Sequence, residues 1–186
     1  MSDNKTAEVT KKAIVVFYTR YGNMEKIARS LEAGLKQSGV ATLCTSEAET
    51  NLDSLKEYDL IAVGAPTEIM TAPKPIKEFL SKLKQKDFSG KYGFAFDIKL
   101  GIPLTGSAAN FIEKKLKDLG LEIILLKASA IVISQKNWRK KDEEGNWIHE
   151  EDYPFKEGEE KRFEEIGKQL GTALLRATGT LKGYAA

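Results

Sequence analysis

The chain has 186 residues, 41% of them hydrophobic and 30% charged, with a formal net charge of +2. At roughly 150 residues per domain this is one domain with decoration, able to bury about 70% of its unfolded surface without a disulfide or metal staple. So small a net charge, with no basic stripe interleaved with aromatics, argues against nucleic acid and leans slightly toward an acidic docking partner.

Residues 1–12 are polar and lack the apolar core of a signal peptide, so they read as a flexible tail ahead of a domain spanning 13–178. Ala13–Tyr18 is a short β-branched and aromatic run, the signature of a strand buried on both faces. Beyond a small polar loop, Ile27, Leu31 and Leu35 form the apolar stripe of an amphipathic helix that stops at Gly39. Ala41–Thr45 is a weaker strand. It holds Cys44, the only cysteine, which is expected to be a half-buried structural thiol and excludes a disulfide framework or multi-cysteine metal site. Leu60–Gly64 is a third strand, and Pro75 opens a helix whose inner stripe is Ile76, Phe79, Leu80 and Leu83. Tyr92–Ile98 is the fourth strand. Ala108–Leu119 is a helix with Phe111, Ile112, Leu116 and Leu119 facing inward. Glu122–Ser134 is long for one strand, with a bend expected near Ala128. Residues 135–158 form a long loop or hairpin insertion before a last helix from Glu159 to Arg176, and 179–186 are a C-terminal tail. No apolar stretch reaches membrane-spanning length, and a cytoplasmic protein is expected.

Alternating strands and helices call for a parallel sheet with helices on both faces, joined by right-handed crossovers. In such a sheet ligands bind beyond the carboxyl ends of the strands, which confines a functional site to the loops at 19–23, 65–74, 99–107 and 135–158. The first, TRYGN, offers the Thr19 hydroxyl, a glycine for close backbone approach and Asn23 as a helix cap, so it suits an anion. Alone, it suits an empty capped turn equally well. Neither GxxxxGK[ST] nor GxGxxG is present, which argues against a nucleoside-triphosphatase loop and a Rossmann dinucleotide site. In the second loop, Ile69 and Met70 form an apolar tip that suits either a flat ring or a neighbouring surface. In the third, Ser107 is a helix cap, while Asp97 at the strand end is read as a structural acceptor ahead of a ligand contact. Trp138, Trp147, Tyr153 and Phe155 in the long loop include a candidate cover for the ring or docking surface, equally well read as a solvated insertion. His149, between acids, reads as a surface residue.

Taken together these loops resemble the flavodoxin family. Thr19, Tyr21, Gly22 and Asn23 match its phosphate loop [ST]-x-[TY]-G-N-T, and Gly64, Ala65, Pro66 and Thr67 match its G-[AS]-P-T segment. FDIKL followed by GSAANFIEKKLKDLG, and EGEEKRFEEIGKQL, are similar to the stretch after the fourth strand and to the closing helix. The resemblance implies a three-layer α/β/α sandwich on a five-stranded parallel sheet in the order 2-1-3-4-5. It also implies non-covalently bound FMN and the shuttling of low-potential electrons between redox partner proteins, by a monomer or weak dimer. It places the cofactor on Thr19, Arg20, Tyr21, Gly22, Asn23 and Met24, on Pro66, Thr67, Glu68, Ile69 and Met70, and on Asp97, Ile98, Lys99 and Gly106.

Two departures stand out. Met24 occupies the place of a phosphate-binding threonine, with Arg20 the candidate to compensate. The second loop also lacks the family's glycine, and a non-glycine peptide there carries a steric penalty if it is to flip. No residue reads as a catalytic acid, nucleophile or metal ligand, in keeping with a carrier. The rivals are an FMN-dependent NAD(P)H–quinone oxidoreductase of the same fold and a flavin-free binding or signalling module.

Overall fold

A computed structural model describes residues 10–101, 106–133 and 154–179. Trp138, Trp147, His149 and Tyr153 lie outside these residues, as does most of each expected tail.

The strands are β1 (Lys12–Phe17), β2 (Ala41–Ser46), β3 (Leu60–Pro66), β4 (Tyr92–Leu100), β5 (Glu122–Ile123) and β6 (Ala128–Val132). The helices are α1 (Asn23–Gln37), α2 (Lys74–Lys82), α3 (Ala108–Asp118) and α4 (Glu159–Ala177), with a short 3-10 turn at Ser54–Glu57. All the strand pairs are parallel, in the order β2-β1-β3-β4, with β5 and β6 both on the outer side of β4.

Because successive strand residues point to opposite faces, each strand feeds two cores. Ala13, Val15 and Phe17 of β1 join Ala62, Phe94 and Phe96 under α1 and α4. Ile14 and Val16 join Ile61, Val63 and Ala95 under α2 and α3. This double burial is why the strands read as continuous apolar runs.

The expected single strand Glu122–Ser134 is two pieces. β5 pairs with Tyr92 and Gly93, and β6 with Phe96 to Leu100. Between them Ile124 and Leu125 both pack on the α1/α4-side core. Consecutive residues of a regular strand cannot share a face, so the ladder breaks there and Leu126 is left 86% exposed. The long insertion returns along the outer edge of β6, where Ile133 N–H donates to Pro154 O at 2.9 Å and Lys156 N–H to Ile131 O at 2.8 Å. Phe155 packs there against the α1/α4-side core.

The two helices of that layer touch through glycines. A Cβ on Gly34 of α1 would overlap the Glu164 carbonyl oxygen and lie 2.8 Å from Lys168 N. A Cβ on Gly167 of α4 would overlap Leu31 O. These positions therefore set how closely the helices approach.

Cys44 lies 4% exposed in β2, more deeply buried than expected. Burial pushes its thiol pKa up to about 12, an effect the nearby Arg29 only partly opposes. A rise of about three pKa units lowers the thiolate fraction about a thousandfold, and the thiolate is the reacting species. Native protein is therefore expected to react with a thiol reagent at pH 8 at least about a hundredfold more slowly than urea-unfolded protein. Equal rates in both states would contradict this burial.

Candidate functional site

The carboxyl ends of β1, β3 and β4 share one edge, and a cavity of about 260 Å³ opens between their loops. That is near the lower end of the roughly 300–1,000 Å³ of ordinary ligand clefts. Thr19, Arg20, Tyr21, Asn23 and Met24 line it from the β1 loop and the start of α1. Pro66, Thr67 and Glu68 line it from the end of β3, and Ile98 and Lys99 from β4. Leu100 and Val132 complete it. Sequence reasoning missed these two, although both lie at the carboxyl ends of strands, where such a wall had to come from.

Asn23 is not the cap of α1. Gly22 takes that place in the left-handed region at φ +83°, without a side-chain hydrogen bond to the helix. Nothing lies within 4 Å of where its Cβ would be, so the backbone there can be approached closely. Gly22 itself borders a shallower groove between α1 and α4. Met24 is 1% exposed, with its thioether methyl against Gly64 in the α1/α4-side core. It continues the inner stripe of Ile27, Ala28, Leu31 and Leu35, a periodicity visible in the sequence one turn earlier than expected. Its contribution to the cavity is an apolar wall.

Arg20 reaches across the cavity mouth, with Nη2 3.2 Å from Glu68 Oε2. A hydrogen bond with Tyr18, then the charge of Glu68 and a hydrogen bond with Tyr21, hold its guanidinium above the ordinary arginine value.

The Glu68–Thr71 segment is a tight turn closed by Glu68 N–H to Thr71 O at 2.9 Å and Thr71 N–H to Glu68 O at 3.0 Å. Its central residues have positive φ, +43° at Ile69 and +67° at Met70, the pattern of a type I′ turn that normally takes Asn-Gly. A β-branched residue in this region is a genuine outlier. Both side chains stand exposed at the rim and do not line the cavity, Ile69 at 96% and Met70 at 66%.

The turn is braced from behind. Asp97, wholly buried in β4, accepts at Oδ2 from Thr67 Oγ1 (3.0 Å), Ser107 Oγ (2.6 Å) and Ala109 N–H (3.0 Å). Thr67 Oγ1 accepts from Ala108 N–H at 2.9 Å. Ser107 caps α3 by accepting from Asn110 N–H at 3.3 Å. The carboxylate thus sits at the positive end of α3, where the helix dipole favours it. Asp97 Oδ1 finds no hydrogen-bond partner among the described residues. Gly106 lies so close to the Met70 backbone that a Cβ would overlap its carbonyl oxygen. Asp97 and Gly106 are therefore placed behind the site, joining the second and third loops.

The arrangement suits an amphiphilic ligand. Met24, Pro66, Ile98, Leu100 and Val132 give apolar walls for a flat ring, and the start of α1, capped by a glycine that brings no side-chain acceptor, gives an anion site beside Thr19 and Arg20. Neighbouring parallel strands lie about 4.8 Å apart, so the anion end over β1 and the wall from β4 are separated by roughly two strand spacings. A mononucleotide spans such a distance.

The family model for flavodoxin matches residues 15–165. Among curated proteins, a putative diflavin flavoprotein of Synechocystis sp. is 31% identical over 122 residues, covering 60% of this chain. The match spans only 19% of that relative's own length. An NAD(P)H dehydrogenase (quinone) of Rhizobium rhizogenes is 28% identical, with 66% of this chain and 69% of the relative covered. Among solved structures, a flavodoxin from the domain Archaea superposes with a TM-score of 0.68 at 21% identity, covering 88% of this chain and 98% of that one. At that identity the likeness speaks for the fold. Among the described residues, no helix is long and apolar enough to cross a membrane.

Proposed function

The chain belongs to the flavodoxin family, FMN-binding proteins of electron transfer, and on that premise we propose that it is a cytoplasmic carrier passing electrons between partner proteins. The observation that carries this reading is the cavity at the sheet edge, apolar along β3 and β4 and suited to an anion at the start of α1. FMN, when bound, supplies the redox chemistry, and the chain supplies binding, orientation and electrostatics.

Thr19 and the backbone of 20–24 hold the phosphate end. Pro66 and Ile98 bound the ring, and Glu68 and Lys99 set the charge beside it. Ile69 and Met70, exposed on a braced turn at the rim, meet the ring edge or the partner protein. Such a carrier works as a monomer or weak dimer, since a partner needs access only to this edge.

The test is reconstitution. Purified protein is expected to bind one FMN, seen as quenched flavin fluorescence and a shifted visible absorption band. At an FMN concentration about a hundredfold above Kd, linkage adds about 2.7 kcal/mol to stability, read as a higher unfolding midpoint. Neither quenching nor stabilisation at millimolar FMN would sink the proposal.

The quinone dehydrogenase relative favours a second reading, an FMN-dependent reductase. FMN-loaded protein that oxidises NAD(P)H with a quinone acceptor would establish it. Loaded protein that is inert toward NAD(P)H but is reduced and reoxidised by protein partners fits the carrier.

A further inference from the structure

The first turn of α1 brings no hydroxyl to the anion end, because Met24 is turned into the core beneath Gly64. Two residues before that turn's glycine cap, Arg20 directs its charge to Glu68 across the cavity mouth. We infer that Arg20 determines specificity for the phosphorylated flavin by exchanging partners: its guanidinium leaves Glu68 and pairs with the phosphate, releasing the Glu68 carboxylate. The inference rests on the proposed FMN site.

The exchange is downhill on the charges involved. The Arg20 side chain is 53% exposed and that of Glu68 28%, so the existing pair is screened by water and salt and holds weakly. A phosphate monoester carries a charge of about −1.5 to −2 near neutral pH and accepts a guanidinium fork in bidentate fashion. Arg20 lines the cavity together with Thr19 and with Asn23 and Met24 of the first turn of α1, so one anion there reaches the guanidinium and the α1 amides together. A backbone-and-hydroxyl cradle would bind a phosphate with little dependence on salt. A guanidinium–phosphate pair makes binding salt-dependent, in part offset because salt also loosens the pair it replaces, and it makes Glu68 a competitor for the ligand's own anchor.

The experiment titrates the apoprotein with FMN and with riboflavin, which lacks the phosphate, at about 0.05 and 0.5 M NaCl. For the native chain, FMN binding should weaken with salt while riboflavin binding stays flat. Arg20→Gln should weaken FMN binding by roughly tenfold or more, leave riboflavin unchanged and flatten the salt dependence. Arg20→Lys, which keeps a point charge without the fork, should fall between. Glu68→Gln should tighten FMN binding several-fold at low salt, since the competitor is gone. The two glutamine variants thus move affinity in opposite directions, which loss of folding cannot imitate.

An unchanged FMN-to-riboflavin ratio in Arg20→Gln would overturn the exchange, as would weaker FMN binding in Glu68→Gln. Native protein that binds neither flavin would remove the FMN site itself, and the exchange with it.

Discussion

Gly34→Ala is expected to lower the stability of the fold by about 3 kcal/mol, seen as a lower urea midpoint at an unchanged m-value. Intrinsic propensity argues the other way, since alanine in a helix interior is favoured over glycine by up to about 1 kcal/mol. The contact decides. The added methyl would overlap the Glu164 carbonyl oxygen and crowd Lys168 N, both backbone atoms of the facing helix that no rotamer change can move. Only separating α1 from α4 relieves it. Separation would loosen Leu31, Leu35, Phe163 and Leu170, all wholly buried in the core those helices cover. Gly171→Ala is the internal control. Its methyl meets Ser38, whose Oγ can rotate away from its 2.7 Å hydrogen bond to Leu35 O but whose Cβ, 2.7 Å from the new methyl, cannot, so a smaller loss of about 2 kcal/mol is expected. Equal effects at the two positions would mean that the helices do not approach as closely as described.

The parts of the fold that could be read from sequence were those specified by local periodicity. β1, β3 and β4 were legible because burial on both faces makes an uninterrupted apolar run. Their far ends were not. β3 continues through Ala65 and Pro66 because the ladder pairs them with Asp97 and Ile98, and β4 continues through Lys99 and Leu100 because β6 pairs them with Ile131 and Val132, although proline and lysine are poor strand residues. Partner geometry overrode propensity there. The break between β5 and β6 was anticipated as a bend but a few residues late, since which core Ile124 and Leu125 join is a tertiary fact.

The candidate site shows the same division. The loops that line it were found from topology alone. Met24 looked like a defective phosphate ligand because a motif aligns positions, whereas its role follows from the helical stripe. No sequence rule suggests left-handed backbone at Ile69 and Met70. Neither residue favours it locally, so a sequence with no glycine gives no sign of it. The conformation is held by contacts from residues far along the chain, which no local window contains.

Those contacts support the second large prediction, at Asp97. Its Oδ2 gathers donors from Thr67, 30 residues back, from Ser107, 10 residues on, and from the Ala109 backbone. Asp97→Ala would leave these buried donors without their acceptor, and a loss of about 3 kcal/mol is expected from denaturant unfolding. The same change should weaken FMN binding about tenfold, because Thr67 immediately precedes the turn that carries Glu68 and Met70 at the cavity rim. Asp97→Asn keeps an acceptor oxygen but gives up the charge favoured at the start of α3, so roughly half the stability loss is expected. Gly106→Ala separates placement of the turn from the charge. Its methyl would press on the Met70 carbonyl while the Asp97 hydrogen bonds stay intact. It should weaken FMN binding at a smaller cost in stability than Asp97→Ala, since the displaced turn lies at the exposed rim. If Asp97→Ala lowers stability and leaves affinity untouched, Asp97 is only a cap for α3. If Gly106→Ala also leaves affinity unchanged, the strained turn takes no part in holding the ligand.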